Sequence, residues 1–326
     1  RRRARAGAVR LGRRGLMAVA LLALVASAAA AFGLNTLRAW YGWSAVTYTP
    51  QELAGELRPA YVVTRPAGAG PFPTALLVSG CDGPKDNVAR LADALAAAGW
   101  ASVVVDSHGP RGLDDAEQWR LVCAGQLLTG VERAADLAVA LDDVRRMDGV
   151  DADRLALVGA SHGGWAVLDL FALVAAGEPP PLLRRWPASL RRDGLAGVRA
   201  AVLLYPYCGP LSRAARTGWQ SAIPLQLLLV ADDAVADEAD CLELADRQRA
   251  AGTPVAVEVF EGVTHGFDQI EKSPLSTLAY DPDATARALT LTTRFLQANA
   301  RRRGSRSERT LTGTWRGRPE TPPLRD

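Results

Sequence analysis

Between residues 73 and 262 the chain alternates short, nearly unbroken apolar runs with segments whose apolar positions recur every three or four residues. The runs are "PTALLVSG" (73–80), "WASVVVDS" (100–107), "RLALVG" (154–159), "VRAAVLLYPY" (198–207), "PLQLLLVA" (224–231) and "PVAVEVFEG" (254–262). They have strand length, and they are too continuous to keep one face in water, so they belong in a sheet covered on both sides. Two shorter strands, "AVTYTP" (45–50) and "AYVVTRP" (60–66), are expected before them. Helical spacing marks 86–99, with Asp86 as the expected N-cap and Gly99 past its end, and 130–147, which reads as strongly amphipathic. Further helices are expected from His162 to about Ala176 and at about 283–299. This alternation predicts an α/β fold with a mostly parallel central sheet and helices on both faces. The stretch 177–197, "GEPPPLLRRWPASLRRDGLAG", is long for a helix-to-strand connection and is a candidate flap over a site.

A different pattern occupies the first 44 residues. "GLMAVALLALVASAAAAFGLNTL" carries no charge between Arg14 and Arg38 and comes after a run of arginines. It is long enough for a signal peptide or a single membrane span. The basic flank would stay in the cytoplasm and send the rest of the chain outward. "ASA" at Ala26–Ala28 offers small residues for cleavage, and "RRGLM" at 13–17 resembles a twin-arginine export signal. Residues 1–44 are therefore expected to be a signal peptide or anchor and 45–300 the folded domain. The tail 301–326, poor in apolar residues and rich in arginine, is expected to be disordered.

Charge sharpens this division. The net charge is +3, yet residues 1–44 hold eight arginines and no acid, and 301–326 hold eight arginines against Glu308, Glu320 and Asp326. The stretch 45–300 is then left with a net charge of about −10. An acidic body lacks the basic face that nucleic-acid binding requires. Four cysteines without CxxC spacing, and only three histidines, also speak against a structural metal site. In an oxidising compartment the same four cysteines allow two disulfides.

The candidate chemistry starts at Gly159-Ala160-Ser161-His162-Gly163, between an apolar run and a helical one. A Gly-x-Ser-x-Gly at such a junction suits a nucleophile elbow, in which a strained serine is pushed out at the sheet's edge and small neighbours let strand and helix approach. A serine hydroxyl needs a base. His265 in "EGVTHGFD" is the one histidine beyond Ser161 and its neighbour His162. The acid should close the preceding strand, where "LLLVADDAVAD" offers Asp232 first, then Asp233, with Asp237 more remote. Asp232 is the residue chosen. Backbone N–H groups of His162 and Cys81 are the expected oxyanion donors. His108 and Arg111, in "DSHGPRG", are candidates for substrate contact or for bracing their own loop with Asp106.

The motifs "GPFPTALLVSGCDG", "VVVDSHGPRG", "GASHGG", "YPYC", "VADDAVADEADC" and "VTHGFD" resemble, in this order, those of the dienelactone hydrolase branch of the α/β-hydrolase superfamily. The resemblance covers about residues 70–270. It implies an α/β-hydrolase fold, a Ser161–Asp232–His265 triad, and hydrolysis of a small ester or lactone without a cofactor. It also suggests the pairings Cys81–Cys123 and Cys208–Cys241. Two departures qualify it. Dienelactone hydrolases proper use a cysteine nucleophile where this chain has Ser161, and the first loop reads "SG" where relatives often have "HG". The expectation therefore moves toward a general serine esterase, exported or membrane-anchored, with its catalytic domain outside the cytoplasm. A serine peptidase of the same fold and a non-catalytic envelope binding module are the competing readings.

Overall fold

The computed structural model describes residues 12–272 and 276–301. The first eleven residues of the basic leader, and all of the expected disordered tail except Arg301, lie outside the described residues.

The chain opens with helix α1 (Arg13–Tyr41), long and apolar enough to cross a membrane, with most of its length exposed. Only its last turns meet the body. Asn35 donates to the Gln126 carbonyl, Arg38 pairs with Glu132, and the Arg216 guanidinium covers the Trp40 ring while donating to its carbonyl.

The expected strand at 45–50 is not formed. Tyr48 makes an isolated bridge to Leu183, and helix α2 (Pro50–Leu57) begins where the strand should have ended. The reason is local. Thr49 and Glu52 form a capping box, and Pro50 stands at the first helical position, where its missing N–H costs nothing. Next come strand β1 (Val62–Thr64), β2 (Phe72–Val78), α3 (Asp86–Ala97) and β3 (Ala101–Val105). Lys85 is the N-cap of α3; Asp86 is its first helical residue, and its carboxylate instead receives Arg90 and the N–H groups of Ile270 and Glu271.

A single turn α4 (Asp115–Glu117) runs into a wide π-type turn at Gln118–Val122. Beyond it come α5 (Gly130–Val144), β4 (Val150–Ala160), α6 (His162–Ala176) and α7 (Ala188–Asp193). The last part holds β5 (Val198–Leu204), α8 (Arg213–Thr217), β6 (Leu225–Val230), α9 (Glu238–Ala250), β7 (Val255–Phe260) and α10 (Pro282–Ala300).

The seven strands form one sheet in the order β1-β3-β2-β4-β5-β6-β7, parallel except for the edge strand β1. Successive residues of each central strand enter opposite cores. Leu76, Leu157 and Leu227 face the side of α2, α5, α6 and α9, while Leu77, Val158 and Leu228 face α3 and α10. Both faces are covered, as the unbroken apolar runs require. The chain leaves β2 toward β3 on one side and returns to β4 on the other. The carboxyl ends of β2 and β4 therefore flank the switch point at which an open α/β sheet forms its crevice.

Two further expectations need correction. Helix α5 is buried on every residue, not amphipathic. Its acidic side chains are matched one by one: Glu132 by Arg38 and the Thr129 N–H, Asp136 by Arg111, Asp142 by Arg146 and the Ser189 N–H, Asp143 by Arg58 and Arg146. Nor does 177–197 form a flap over the site. Arg184 reaches Thr47, the Ser189 N–H donates to Asp142, and Arg145 donates to Ser189 and to the Gly194 and Ala196 carbonyls. The insertion is pinned over α5, where it buries Leu182, Leu183 and Leu190.

Candidate active site

Ser161 stands between β4 and α6 with φ 50° and ψ −115°, a backbone conformation that costs an L-residue on the order of 1–3 kcal/mol. The neighbouring glycines make that corner possible. A Cβ on Gly163 would lie 2.2 Å from the Val78 carbonyl oxygen, and one on Gly159 would lie 2.5 Å from the Gly163 carbonyl oxygen. No side chain larger than hydrogen fits at either place. The Ser161 N–H donates to the Leu204 carbonyl, and its own carbonyl accepts from Trp165, so both flanks of the corner are held.

The loop after β7 brings His265 over this serine. Its Nε2 lies 2.8 Å from Ser161 Oγ, and its Nδ1 lies 2.7 Å from Asp233 Oδ2. The side chains of His265 and Asp233 are 6% and 1% exposed, so the relay is shielded from water. Asp233, not Asp232, is the carboxylate at the imidazole. Asp232 turns the chain with φ 53°, its side chain faces solvent, and its N–H is capped by Glu238. That turn carries the next residue inward, where Asp233 Oδ1 accepts from the Val235 and Ala236 N–H groups. Burial alone would raise the Asp233 pKa, but the bond to His265, its charge and the two N–H donors hold it below the ordinary value. Asp237 caps α9.

The other wall is the turn after β2. Gly80 lines the same cavity as Ser161, and Cys81 is bridged to Cys123. A second disulfide joins Cys208 to Cys241 under the neighbouring loops. Among the described residues, neither the Cys81 nor the His162 N–H donates to another protein group. His162 is the first residue of α6, and such N–H groups have no partner within their own helix. Asp82 accepts from Gln269, which fastens this turn to the loop that carries His265.

Two cavities meet at Ser161. One, of about 510 Å³, is lined by Trp119, Tyr205, Val235, Gln269 and Leu278 as well as by the serine and His265. The other, of about 280 Å³, is lined by His162, Trp165, Tyr207, Leu211 and Ala236. Cys81, Cys123 and Ala124 form part of both walls. Apolar side chains stand open at the mouth, with Trp119 50% and Val235 59% exposed.

His108 and Arg111 line neither cavity. His108 is buried, and burial lowers its pKa, which leaves it neutral. Arg111 pairs with Asp136 and donates to the Ser107 carbonyl, while Asp106 accepts the N–H groups of His108 and Gly109. They brace their own loop. Among the described residues no group of three or more histidine, cysteine or acidic side chains has a geometry that could hold a metal.

Three neighbours of the site were not singled out from the sequence. Arg133 is wholly buried behind the turn after β2, Tyr205 lays its ring 4.7 Å from that of His265, and the Tyr205 hydroxyl donates to buried Asp268. Arg133 had a signal, a charge directly before the apolar run "AADLAVAL"; Tyr205 and Asp268 fall within "YPYC" and "VTHGFD", but their pairing is a contact across the sheet edge that no local pattern records.

The model of the dienelactone hydrolase family matches residues 188–300, the part that supplies Asp233 and His265. No curated protein matches the chain in sequence. Among solved structures, a Klebsiella pneumoniae subsp. pneumoniae protein assigned as a dienelactone hydrolase is 18% identical, over 73% of this chain and 92% of its own, with a TM-score of 0.55. Thermogutta terrifontis esterase 2 with butyrate bound is 16% identical over 73% of this chain and 88% of its own, TM-score 0.55. The same esterase phosphorylated by paraoxon gives the same identity, coverage and TM-score. At such identities the likeness is one of fold, and the fold is that of the α/β-hydrolases.

Proposed function

We propose that this chain, dienelactone hydrolase-like in its C-terminal segment and α/β-hydrolase in fold, is a serine hydrolase of carboxylic esters. The observation that carries the reading is the unbroken relay of Ser161 Oγ, His265 and Asp233 at 2.8 and 2.7 Å, beside two unpartnered N–H groups. In this mechanism His265 Nε2 takes the Ser161 proton as Oγ attacks the ester carbonyl. Asp233 holds the imidazole with its proton on Nδ1 and offsets the imidazolium charge. The N–H groups of Cys81 and His162 receive the oxyanion. When the intermediate collapses, His265 returns the proton to the leaving alcohol and an acyl-serine remains. Water, deprotonated by the same histidine, then releases the carboxylic acid and restores Ser161.

The junction of two cavities at Ser161 suits an ester, which extends in two directions from its carbonyl carbon. Their largely apolar walls favour uncharged acyl and alcohol groups. A lactone is hydrolysed by the same steps. We also place the domain outside the cytoplasm, tethered through α1. The apolar length of that helix and the two disulfides support this assignment.

The full chain in detergent, exposed to a fluorophosphonate probe, is expected to be labelled once, at Ser161, and the Ser161→Ala variant not at all. A folded, unlabelled wild type would remove the hydrolase reading and leave a binding module on the same scaffold.

A further inference from the structure

Arg133 is the one wholly buried arginine of the described residues, and it has no carboxylate within salt-bridge distance. Its nearest acids are engaged elsewhere, Asp136 with Arg111 and Asp106 with the N–H groups of its own loop. Burying a cation in this way is costly unless its field or its donors are used. The side chain spends its donors on the walls of the site. Nη1 donates to the Gly80 carbonyl at 3.2 Å and to His162 Nδ1 at 3.2 Å, Nη2 lies 3.4 Å from Ser79 Oγ, and Nε donates to Ser107 Oγ at 3.2 Å.

Both contacts of Nη1 fall on the units that bear the oxyanion donors. The Gly80 carbonyl and the Cys81 N–H belong to one peptide group. That group is planar and trans, so a carbonyl fixed toward Arg133 sends the N–H the opposite way, away from the guanidinium. A cation on the carbonyl oxygen also withdraws charge through the amide and makes its N–H a stronger donor. His162 carries the second donor. Its ring is held neutral by burial and by the charge of Arg133, so Nδ1 is free to accept and the ring is anchored behind the first turn of α6. Burial pushes the Arg133 guanidinium down to about 10, which leaves it charged at neutral pH.

We propose that Arg133 is a positioning residue for the oxyanion hole, one guanidinium nitrogen aligning and polarising both backbone donors from the buried side. It touches neither substrate nor Ser161, and it acts through the Gly80–Cys81 peptide and through His162. The proposal rests on the ester hydrolase reading of the same site.

The test compares full-length wild type with Arg133→Lys, Arg133→Gln and Ser107→Ala, using p-nitrophenyl butyrate turnover and binding of a trifluoromethyl ketone, whose serine adduct bears an oxyanion. Each variant is first checked for its melting transition. Arg133→Gln is expected to lower kcat by roughly 100-fold or more, the loss typical of an oxyanion donor, with KM changed by less than about threefold. Affinity for the ketone should fall in step with kcat/KM, and Arg133→Lys should recover part of both. Ser107→Ala removes only the Nε partner, and a several-fold loss in both readouts is expected from it. It decides the matter if the Arg133 variants do not fold. Folded variants with wild-type kcat, or with ketone affinity unchanged while kcat falls, would overturn the proposal and leave Arg133 a structural staple. A folded wild type that neither turns over the ester nor takes the fluorophosphonate label fails the underlying reading, and this proposal with it.

Discussion

Asp169, in the middle of α6, has no exposed surface. One carboxylate oxygen accepts from Ser212 Oγ at 2.8 Å and the Ala214 N–H at 3.0 Å, while the other has no partner. Burial outweighs those two bonds and lifts its pKa from 3.8 to about 6. A raised acid binds its proton more tightly folded than unfolded. It therefore withdraws stability as pH climbs from near 4 to near 6, and the loss persists above, on the order of 2–3 kcal/mol. Urea unfolding at pH 4 and pH 7 should show that loss in the wild type and not in Asp169→Asn; parallel curves would show that the carboxyl is not the cause. Asp233 differs in sign, since its lowered pKa keeps it charged beside His265. Asp233→Asn is expected to cost on the order of 10³–10⁴ in kcat, the loss seen when a triad imidazole is held in the wrong tautomer. Asp232→Asn should change kcat by less than about twofold, because asparagine accepts the left-handed backbone found there. Kinetics on the two variants separates them. The sequence made Ser161 and His265 readable because each has a turn signature and few rivals. It left the acid unresolved between neighbours, because which of two consecutive carboxylates points inward depends on the backbone angle of the first.

At the scale of elements, the corner between β4 and α6 makes the least forgiving demand. Gly163→Ala would set a methyl 2.2 Å from the Val78 carbonyl oxygen, so either β2 or α6 must move. A loss of about 3 kcal/mol or more is expected, with activity reduced in whatever folds. Thermal unfolding measures it, and an unchanged melting temperature would mean that the corner is wider than described. The five buried strands β2 to β6 were legible because a sheet covered on both faces leaves no polar alternation to confuse the signal. Two elements were not. At 45–50 the apolar–polar alternation suggests a strand, yet the Thr49–Glu52 capping box and Pro50 begin a helix inside it. In α5 the charges mimic a solvated stripe, and only partners such as Arg38, Arg58 and Ser189, distant in sequence, bury them. Periodicity reports which residues are polar, not whether another segment will arrive to satisfy them.

For the whole molecule, the division between a basic, apolar leader and an acidic body was plain from charge alone. Where the leader meets the body was not, because that junction rests on single pairs such as Asn35 with Gln126 and Arg38 with Glu132. Tethering predicts that the full chain stays in the membrane pellet after an alkaline wash, whereas a chain beginning at residue 45 is soluble and still hydrolyses esters. Recovery of the full-length gene product in the soluble fraction, with a new N-terminus near Ala29, would identify α1 as a removed signal instead. The sheet order has one more consequence. Ser161 comes directly after the central strand β4, but the imidazole hydrogen-bonded to it is 104 residues further along and can arrive only after β7 has closed the sheet's far edge. At ribosomal speeds that interval is roughly 5 to 20 seconds. Throughout it the growing polypeptide carries Ser161 without the His265 imidazole, so on the proposed mechanism a product truncated before that loop is chemically harmless, and hydrolytic power appears only once the loop after β7 has been made.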